Sequence, residues 1–218
     1  ARYKIGLTGT LERKDGRHVV FRDYFGNHVL KPPKENFMTP SVDIVPSEVR
    51  FLDGRTMPWA SKVNHLCYNQ EYVRSVSMIA AAYAAQGHKV LVVSNRVYFL
   101  KVCAQLVGDN AVHVTGDMDH AEREETIKQL KKDKNVLFGT QSIFSEGISI
   151  NELSCIVLAT PINNEPLLTQ LIGRIIRKEE GKLQPKVVDI HLKGKTASRQ
   201  NQARLGYYMK QGYEVTQL

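Results

Sequence analysis

Two arginines, Arg174 and Arg177, are spaced so that a helix would place them about one turn apart on the same side. On that helix Gln170 and Gly173 share the arginine side, and the other side is apolar, with Leu167, Leu168, Leu171, Ile172, Ile175 and Ile176. A guanidinium stays charged and can grip phosphate oxygens with two hydrogen bonds, while a glycine lets a ligand approach the backbone closely. The pattern predicts a helix that is buried on one side and binds a polyanion on the other. The alternative is an amphipathic surface helix with solvated arginines.

The composition is typical of a globular chain and favours a polyanionic partner. The 218 residues are 42% hydrophobic and carry a formal net charge of +8. No apolar run is long enough to span a bilayer and no signal peptide opens the chain, so we expect no membrane partner. CxxC and HExxH spacings are absent, which predicts no metal site. The three cysteines, Cys67, Cys103 and Cys155, are odd in number, widely spaced and in apolar contexts, so we expect them to be reduced, buried and intracellular.

From about residue 90 onward, short apolar strands alternate with amphipathic helices. Strands are predicted at 90–93, 111–115, 135–140, 155–159 and 186–190, and the helices between them follow capping residues such as Asp119 with Glu122. This alternation predicts an α/β fold, a parallel sheet with helices on both faces. Ligands of such sheets bind beyond the carboxyl ends of the strands, so the loops after Thr140 and Thr160 are candidate site loops.

The first 60 residues follow a different pattern. Residues 3–7 are strand-like and are followed by a turn at 8–10. Residues 27–60 contain five of the eight prolines, and only 42–51 looks like an extended strand pair, interrupted at Pro46. We therefore expect this part of the chain to be a connection and not part of a core.

Three segments, in this order and spacing, resemble motifs III, V and VI of superfamily 2 helicases, above all the phage recombination and repair helicases and the TFIIH-type repair helicases. They are residues 6–16, residues 139–149 and residues 170–177, which read QLIGRIIR. The resemblance implies the second half of an enzyme that has two RecA-like lobes with ATP in the cleft between them. Residues 1–16 would end the first lobe, 17–60 would connect the lobes, and 61–218 would form the second lobe, preceded by that remnant of the first.

The same resemblance implies a set of residues around the nucleotide. Arg174 and Arg177 would reach the γ-phosphate as arginine fingers, and Gln170, with Gly173, would help to position the nucleotide. Two residues of motif V, Glu146 and Gly147, match a turn near the ribose. Ser149 departs from the family, because many relatives have there an aspartate that contacts the ribose.

A second set would face the nucleic acid. Ser94, Asn95 and Thr140 would contact the backbone of the strand, although each could instead cap a turn or helix, and both roles can coexist. The turn of motif III would couple the state of the ATP to strand binding through Thr8, Gly9 and Thr10. Gly116 with Arg123 could form an additional strand-binding turn, but the glutamates beside Arg123 favour a solvated helix face. Tyr207-Tyr208 could stack on bases, but we favour packing against the sheet.

The residues that would hold ATP and Mg²⁺ by themselves are absent from these 218 residues. There is no GxxxxGK[ST] loop, since the apparent match at Gly194-Lys195-Thr196 would need a glycine where Asp189 stands, and there is no Asp-Glu dipeptide. We therefore expect ATP and Mg²⁺ to bind only in the complete two-lobe enzyme, and the chain alone to hydrolyse no ATP. The expected partners are single-stranded or branched DNA, with RNA as an alternative, and an N-terminal ATPase lobe.

Two other functions compete with a helicase motor lobe. One is a non-catalytic nucleic-acid-binding scaffold related to such a lobe. The other is a doubly wound small-molecule transferase, which predicts a glycine-rich phosphate loop after the first strand, and no such loop is present. For a helicase lobe of the phage type, the expected location is the cytoplasm of a bacterial or phage-infected cell, or the nucleus if the source is eukaryotic.

Overall fold

The computed structural model describes residues 4–6, 18–26, 28–30, 33–54, 56–142 and 150–218. Its helices are α1 His18–Phe25, α2 Trp59–Tyr68, α3 Gln70–Ala85, α4 Val97–Val107, α5 His120–Lys132, α6 Glu165–Ile172 and α7 Lys195–Gln211. Its strands are β1 Ser41–Arg50, β2 Val90–Ser94, β3 Ala111–Val114, β4 Val136–Thr140, β5 Cys155–Leu158, β6 Lys186–Lys193 and β7 Glu214–Gln217.

The strands form one seven-stranded sheet in the order β3-β4-β2-β5-β6-β1-β7. Every pairing among these strands is parallel, which confirms the predicted parallel sheet. β2 is central and pairs with β4 so that Ser94 lies opposite Thr140 at the carboxyl end of both strands. The strand order therefore places the two predicted site loops side by side.

Helices cover both faces of the sheet because neighbouring strand residues point to opposite sides. In β2, Val90 and Val92 pack in one apolar layer with α2, α3 and α4. Leu91 and Val93 pack in the other layer with α5, α6 and α7. All four valine and leucine side chains are fully buried, as the continuous apolar run in the sequence predicts for a strand covered on both faces.

β1 lies inside the sheet, between β6 and β7, and the expectation that 42–51 belongs to a connection is wrong. Val42 and Ile44 are buried in one layer and Val49 in the other. The sheet thus begins at Ser41, twenty residues before the predicted start of the second lobe, while the division of the chain into domains stays a prediction.

Two features explain how β1 tolerates a proline and a carboxylate. β7 pairs with β1 only from Ser41 to Ile44, and the register with β6 shifts after Pro46, so no bond to β7 depends on an N–H at Pro46. Asp43 is buried but accepts hydrogen bonds from Lys186 Nζ at 2.8 Å and from the Tyr83 hydroxyl at 2.6 Å. These bonds satisfy the carboxylate and tie β1 to β6 and α3.

Local capping signals were reliable at several helix ends. Asp119 and Glu122 form the predicted capping box of α5, and Asn164 caps α6. By contrast, α4 begins after Arg96 and not after Ser94 or Asn95. The sequence reasoning missed α1, α2 and β7 altogether. Among the described residues, no helix combines the length and apolar character needed to cross a bilayer.

Candidate functional site

Arg174 and Arg177 do not share a helix, because α6 ends at Ile172 and the chain then turns tightly. We call residues 173–177 the arginine turn. The N–H groups of Arg174 and Ile175 donate to carbonyls three residues earlier, at 3.1 and 3.0 Å, which tightens the chain relative to an α-helix. The predicted helix through Arg177 is therefore wrong. The predicted apolar side is confirmed, since it is buried at Leu168, Leu171, Ile172 and Ile175.

A segment far upstream in the sequence, residues 36–38, pairs with the end of the arginine turn. The Met38 N–H donates to the Ile176 carbonyl at 2.8 Å, and the Lys178 N–H donates to the Asn36 carbonyl at 3.0 Å. Between these two bonds Phe37 forms an antiparallel bridge with Arg177. These backbone partners replace the helical hydrogen bonds, so a tertiary contact overrides the helical periodicity of the sequence.

Two further side chains, Asn151 and Lys182, support the arginine turn and were not predicted from the sequence. Arg177 Nη1 donates to Asn151 Oδ1 at 3.4 Å, and Lys182 Nζ donates to the carbonyls of Asn151 and Arg177, both at 2.8 Å. Asn151 precedes β5 and Lys182 precedes β6, so the turn lies toward the amino ends of those strands. Neither residue belongs to a recognisable spacing, so only the contacts identify them.

The arginine turn concentrates positive charge. Burial, and after it the nearby charge of Arg177, lower the pKa of the Arg174 guanidinium below its ordinary value. The guanidinium nevertheless stays charged at neutral pH. Burial also lowers the pKa of Lys182, to about 8. An anion that contacted both arginines would relieve the repulsion between them, so the turn suits a group with several charged oxygens, such as a phosphate.

The other predicted nucleotide-binding residues are placed in part. Gln170 is half-buried on the last turn of α6, and Gly173 follows it at the start of the arginine turn. Gly173 has an ordinary right-handed conformation with φ of −54°, so no left-handed backbone requires a glycine there. The remaining predicted residues of motifs III and V lie outside the described residues: Thr8, Gly9, Thr10, Glu146, Gly147 and Ser149.

A second candidate site lies at the opposite edge of the sheet. Asn95 directly follows β2, and Thr140 is the last residue of the neighbouring strand β4. Both line one open cavity of about 630 Å³. Gly116, just beyond β3, lines the same cavity. The Thr140 hydroxyl lies 3.3 Å from the hydroxyl of Ser142, which also lines the cavity. The structure therefore brings together two of the three predicted strand-contacting residues and the predicted turn at Gly116.

Ser94 does not share this exposure. Its side chain is fully buried, and its Oγ accepts a hydrogen bond from the Arg96 N–H at 3.2 Å. Asn95, by contrast, is exposed. The geometry thus favours the turn-forming alternative for Ser94, because a hydroxyl beneath the surface cannot reach a strand in the cavity.

The turn after β3 carries a charge pair into the cavity. Asp117 lines the cavity and lies 3.2 Å from Lys101 Nζ. The neighbouring side chain of Thr115 and the hydrogen bond from Lys101 lower the pKa of Asp117 to about 2, so the carboxylate stays ionised. Arg123 points back to this turn and donates to the Met118 carbonyl at 3.1 Å. Its guanidinium therefore supports the turn, beyond the solvated role that the sequence favoured.

The amino end of α7, at Gly194-Lys195-Thr196, is already occupied by a carboxylate of the chain itself. Asp53 accepts hydrogen bonds from the N–H groups of Lys195 and Thr196 at 3.1 and 2.8 Å. These two backbone bonds lower the pKa of Asp53 to about 2. A phosphate would have to displace Asp53, so the structure agrees with the rejection of this tripeptide as a phosphate loop.

Tyr207 and Tyr208 pack against the sheet and do not form an aromatic surface. Both are buried, at 4% and 0% exposure. The Tyr208 hydroxyl donates to Asp189 at 3.0 Å, and the Tyr207 hydroxyl lies 2.8 Å from that of Thr169. The packing alternative is therefore the correct one for this pair.

Comparison with known proteins relates this architecture to helicases. Residues 72–179 match the family described as helicase conserved C-terminal domain. A probable helicase of Escherichia phage T5 is 39% identical over 219 residues, which covers 99% of this chain and 49% of the phage protein. Three curated relatives match along 99% of this chain. The chain spans about half the length of each of them.

Solved structures show the same fold at low sequence identity. The crystal structure of UvsW from phage T4 superimposes with a TM-score of 0.63 and 18% identity, covering 81% of this chain and 40% of that one. Dbp5 of Saccharomyces cerevisiae, bound to RNA and ADP BeF3, superimposes with a TM-score of 0.66 and 12% identity, covering 95% of this chain and 49% of that one. The parallel sheet thus has the fold of a RecA-like lobe.

Proposed function

Because the chain is a superfamily 2 helicase C-terminal lobe, related to ATP-dependent helicases, we propose that it is the second motor lobe of such an enzyme. In this proposal, Arg174 and Arg177 contact the γ-phosphate of an ATP that is held mainly by a partner lobe. The carboxyl edge of the sheet forms part of the track for a single strand. The strand is DNA in the leading form of the proposal and RNA in the alternative.

The arginine turn is the observation that carries this proposal. It places two guanidiniums close enough for one to lower the pKa of the other. Its end is also held by hydrogen bonds with residues 36–38, with Asn151 and with Lys182. An arginine finger must be preorganised where charge develops on the transferring phosphoryl group, and a turn that continues α6 and is hydrogen-bonded at its end supplies that rigidity.

The described side chains are suited to contact the phosphates of ATP but not to coordinate its metal ion. Among the described residues, no group of three or more His, Cys, Asp or Glu side chains could hold a metal. The full 218 residues also lack the Asp-Glu pair and the phosphate loop. Mg²⁺ would therefore be held by another lobe, where it would neutralise phosphate charge, and this chain would add the two arginines and the Gln170–Gly173 region.

The cavity at the carboxyl edge supports the second half of the proposal. Its exposed donors, such as Asn95 and the hydroxyls of Thr140 and Ser142, are small and neutral. Such groups suit phosphate and sugar oxygens and do not read bases, so we expect binding without sequence preference. Ser142 lines this cavity and Asn151 contacts Arg177, so the stretch of chain between these two residues connects the two sites in sequence.

Replacement of each arginine in the full-length protein tests the first half. We expect Arg174→Ala or Arg177→Ala to lower kcat for ATP hydrolysis by about 10³ or more, because a finger acts mainly on the transition state. Binding of ATP, measured with a fluorescent analogue, should be largely retained. The matched control is Arg199→Ala, which removes an exposed arginine from α7 and should leave turnover unchanged.

The outcomes separate the proposal from the scaffold alternative. A variant that keeps near-normal kcat would remove that arginine from the nucleotide site. A full-length protein with no strand-stimulated ATP turnover at all, but with retained strand binding, would favour the non-catalytic scaffold.

A further inference from the structure

Two exposed tyrosines meet at the carboxyl edge of the sheet. Tyr68 is the last residue of α2 and Tyr98 is the second residue of α4, and their side chains are 63% and 57% exposed. Their ring centroids lie 5.5 Å apart, with the ring planes tilted by 45°. No motif of the sequence analysis includes them, and they lie far from the arginine turn.

Buried residues next to the pair in sequence are firmly packed. The rings of Tyr72 in α3 and of Phe99, the residue after Tyr98, stack with centroids 5.9 Å apart, and the Tyr72 hydroxyl donates to the Ala159 carbonyl at 2.8 Å. Arg96, at the start of α4, donates to Asn64 Oδ1 at 2.5 Å within α2. These contacts hold the end of α2 against the start of α4, so the exposed rings are positioned before any ligand arrives.

The pair adjoins the cavity at the carboxyl edge. Tyr98 follows directly on Val97, which lines that cavity together with Asn95 and Thr140. The charged residues near the pair do not repel a strand: Arg96 lies between the cavity residues Asn95 and Val97 in sequence, and Lys101 is paired with Asp117. A strand whose phosphates cross the cavity would therefore carry its bases toward a surface that already presents two aromatic rings.

We propose that Tyr68 and Tyr98 form a stacking platform for one base of a single-stranded nucleic acid. This proposal rests on the strand track proposed above and adds a contact to the bases. The rings are too close for a base to enter between them, since insertion would need about 7 Å, twice the ~3.5 Å contact distance. The base therefore stacks on an outer ring face. Stacking on an aromatic ring tolerates any base, which is consistent with a track that has no sequence preference.

Paired oligonucleotides test the platform in the full-length protein without nucleotide. One probe is a labelled oligothymidylate, and the other is the same length of abasic deoxyribose phosphate, which keeps the charge and lacks the bases. We expect the wild type to bind the base-containing strand about fivefold or more tightly. Tyr68→Leu and Tyr98→Leu should each reduce this preference, and the double variant should abolish it.

Two kinds of control accompany these variants. Tyr68→Phe and Tyr98→Phe keep the ring and should keep the preference for bases. Leu106→Ala removes a side chain of similar exposure, 54%, from the other end of α4 and should change nothing. Binding of the abasic strand serves as an internal check on folding, because the backbone contacts remain in every variant.

The outcomes distinguish this proposal from the one on which it rests. A wild type that binds neither strand would overturn the strand track and the platform together. Equal binding of both strands by the wild type, or an undiminished preference in the double leucine variant, would overturn the platform and leave the track intact. Leucine variants that lose thermal stability but keep the preference would show that the tyrosines only join α2 to α4, which also overturns the platform.

Discussion

At the scale of single residues, a buried ion pair between Asp189 and Arg204 joins β6 to α7. Asp189 of β6 is fully buried, and its two oxygens share the Nε–H of Arg204, at 3.0 and 2.8 Å, while one oxygen also accepts from the Tyr208 hydroxyl. Burial alone would raise the pKa of Asp189. The charge of Arg204, together with hydrogen bonds to the carboxylate, outweighs burial and lowers that pKa to about 2.

Removing one partner of this pair should be costly. We expect Asp189→Asn to lower the free energy of unfolding by about 3–5 kcal/mol, because Arg204 would stay buried without its counter-charge. The double variant Asp189→Leu with Arg204→Met should lose less, since it leaves no isolated charge. Urea titration measures both, with exposed Asp133→Asn as the control. A single variant of near wild-type stability would contradict the argument.

The ion pair between Asp189 and Arg204 also predicts how the stability of the fold depends on pH. A lowered carboxylate pKa stabilises the fold above the unfolded pKa of about 3.9. In the wild type this contribution is complete at neutral pH and is lost as the pH falls from about 4 toward 2. The Asp189→Leu/Arg204→Met variant should therefore show a smaller loss of stability over that acid range.

At the scale of elements, two glycines at helix ends differ in how well their positions would tolerate a side chain. Gly194 precedes α7 with φ of +117°, and a Cβ there would lie 2.7 Å from the Phe51 carbonyl oxygen. Gly173 follows α6 in a right-handed conformation, and its Cβ would meet carbonyl oxygens at 3.2 Å, a contact that small shifts can relieve.

Alanine at these two positions should separate folding from function. We expect Gly194→Ala to destabilise the fold by about 2 kcal/mol or more, because both the backbone angle and the space oppose a side chain. Gly173→Ala should change stability by less than about 1 kcal/mol. If the nucleotide approaches the backbone at Gly173, the full-length Gly173→Ala protein should lose ATP turnover despite its stable fold. Urea titration and steady-state kinetics on the same samples provide the test, and unchanged turnover would place the nucleotide elsewhere.

At the scale of the whole molecule, two sites occupy opposite edges of one sheet. The arginine turn lies toward the amino ends of β5 and β6, whereas the cavity with Asn95 and Thr140 lies at the carboxyl ends of β2 and β4. The net charge of +8 acts on both, and it favours any polyanion near the surface. A strand and a nucleotide could therefore bind to the same lobe without competing for the same residues.

Salt dependence should reveal how many phosphates the lobe contacts. We expect weak, sequence-independent binding of a single strand, with log affinity falling by about 0.7 per neutralised phosphate for each unit of log salt. The slope should be shallow, because one lobe supplies only part of the track. Thr140→Ala should weaken binding with little change in slope, since it removes a neutral hydroxyl. Fluorescence anisotropy with DNA and RNA oligonucleotides at several salt concentrations measures this, and salt-independent or sequence-dependent binding would contradict it.

Much of the framework could be predicted because its signals are local. The apolar runs of β2, β4, β5 and β6 predict strands buried on both faces, and Asp119 with Glu122 marks the start of α5. The spacing of QLIGRIIR correctly indicated which side of α6 is buried. Each of these features depends on residues only a few positions apart, so the sequence alone carries them.

What the tertiary structure decided depends on contacts between distant segments. Residues 36–38 pair with 176–178 and end the helix that periodicity would have continued through Arg177. β1 enters the sheet beside β6 and β7, which lie more than 130 positions later, so its extended conformation was predictable from the sequence but its place in the sheet was not. Tyr68 and Tyr98 meet only because α2 and α4 pack together. Local periodicity and capping cannot encode such pairings, since their free energy comes from surfaces that become neighbours only when the chain folds.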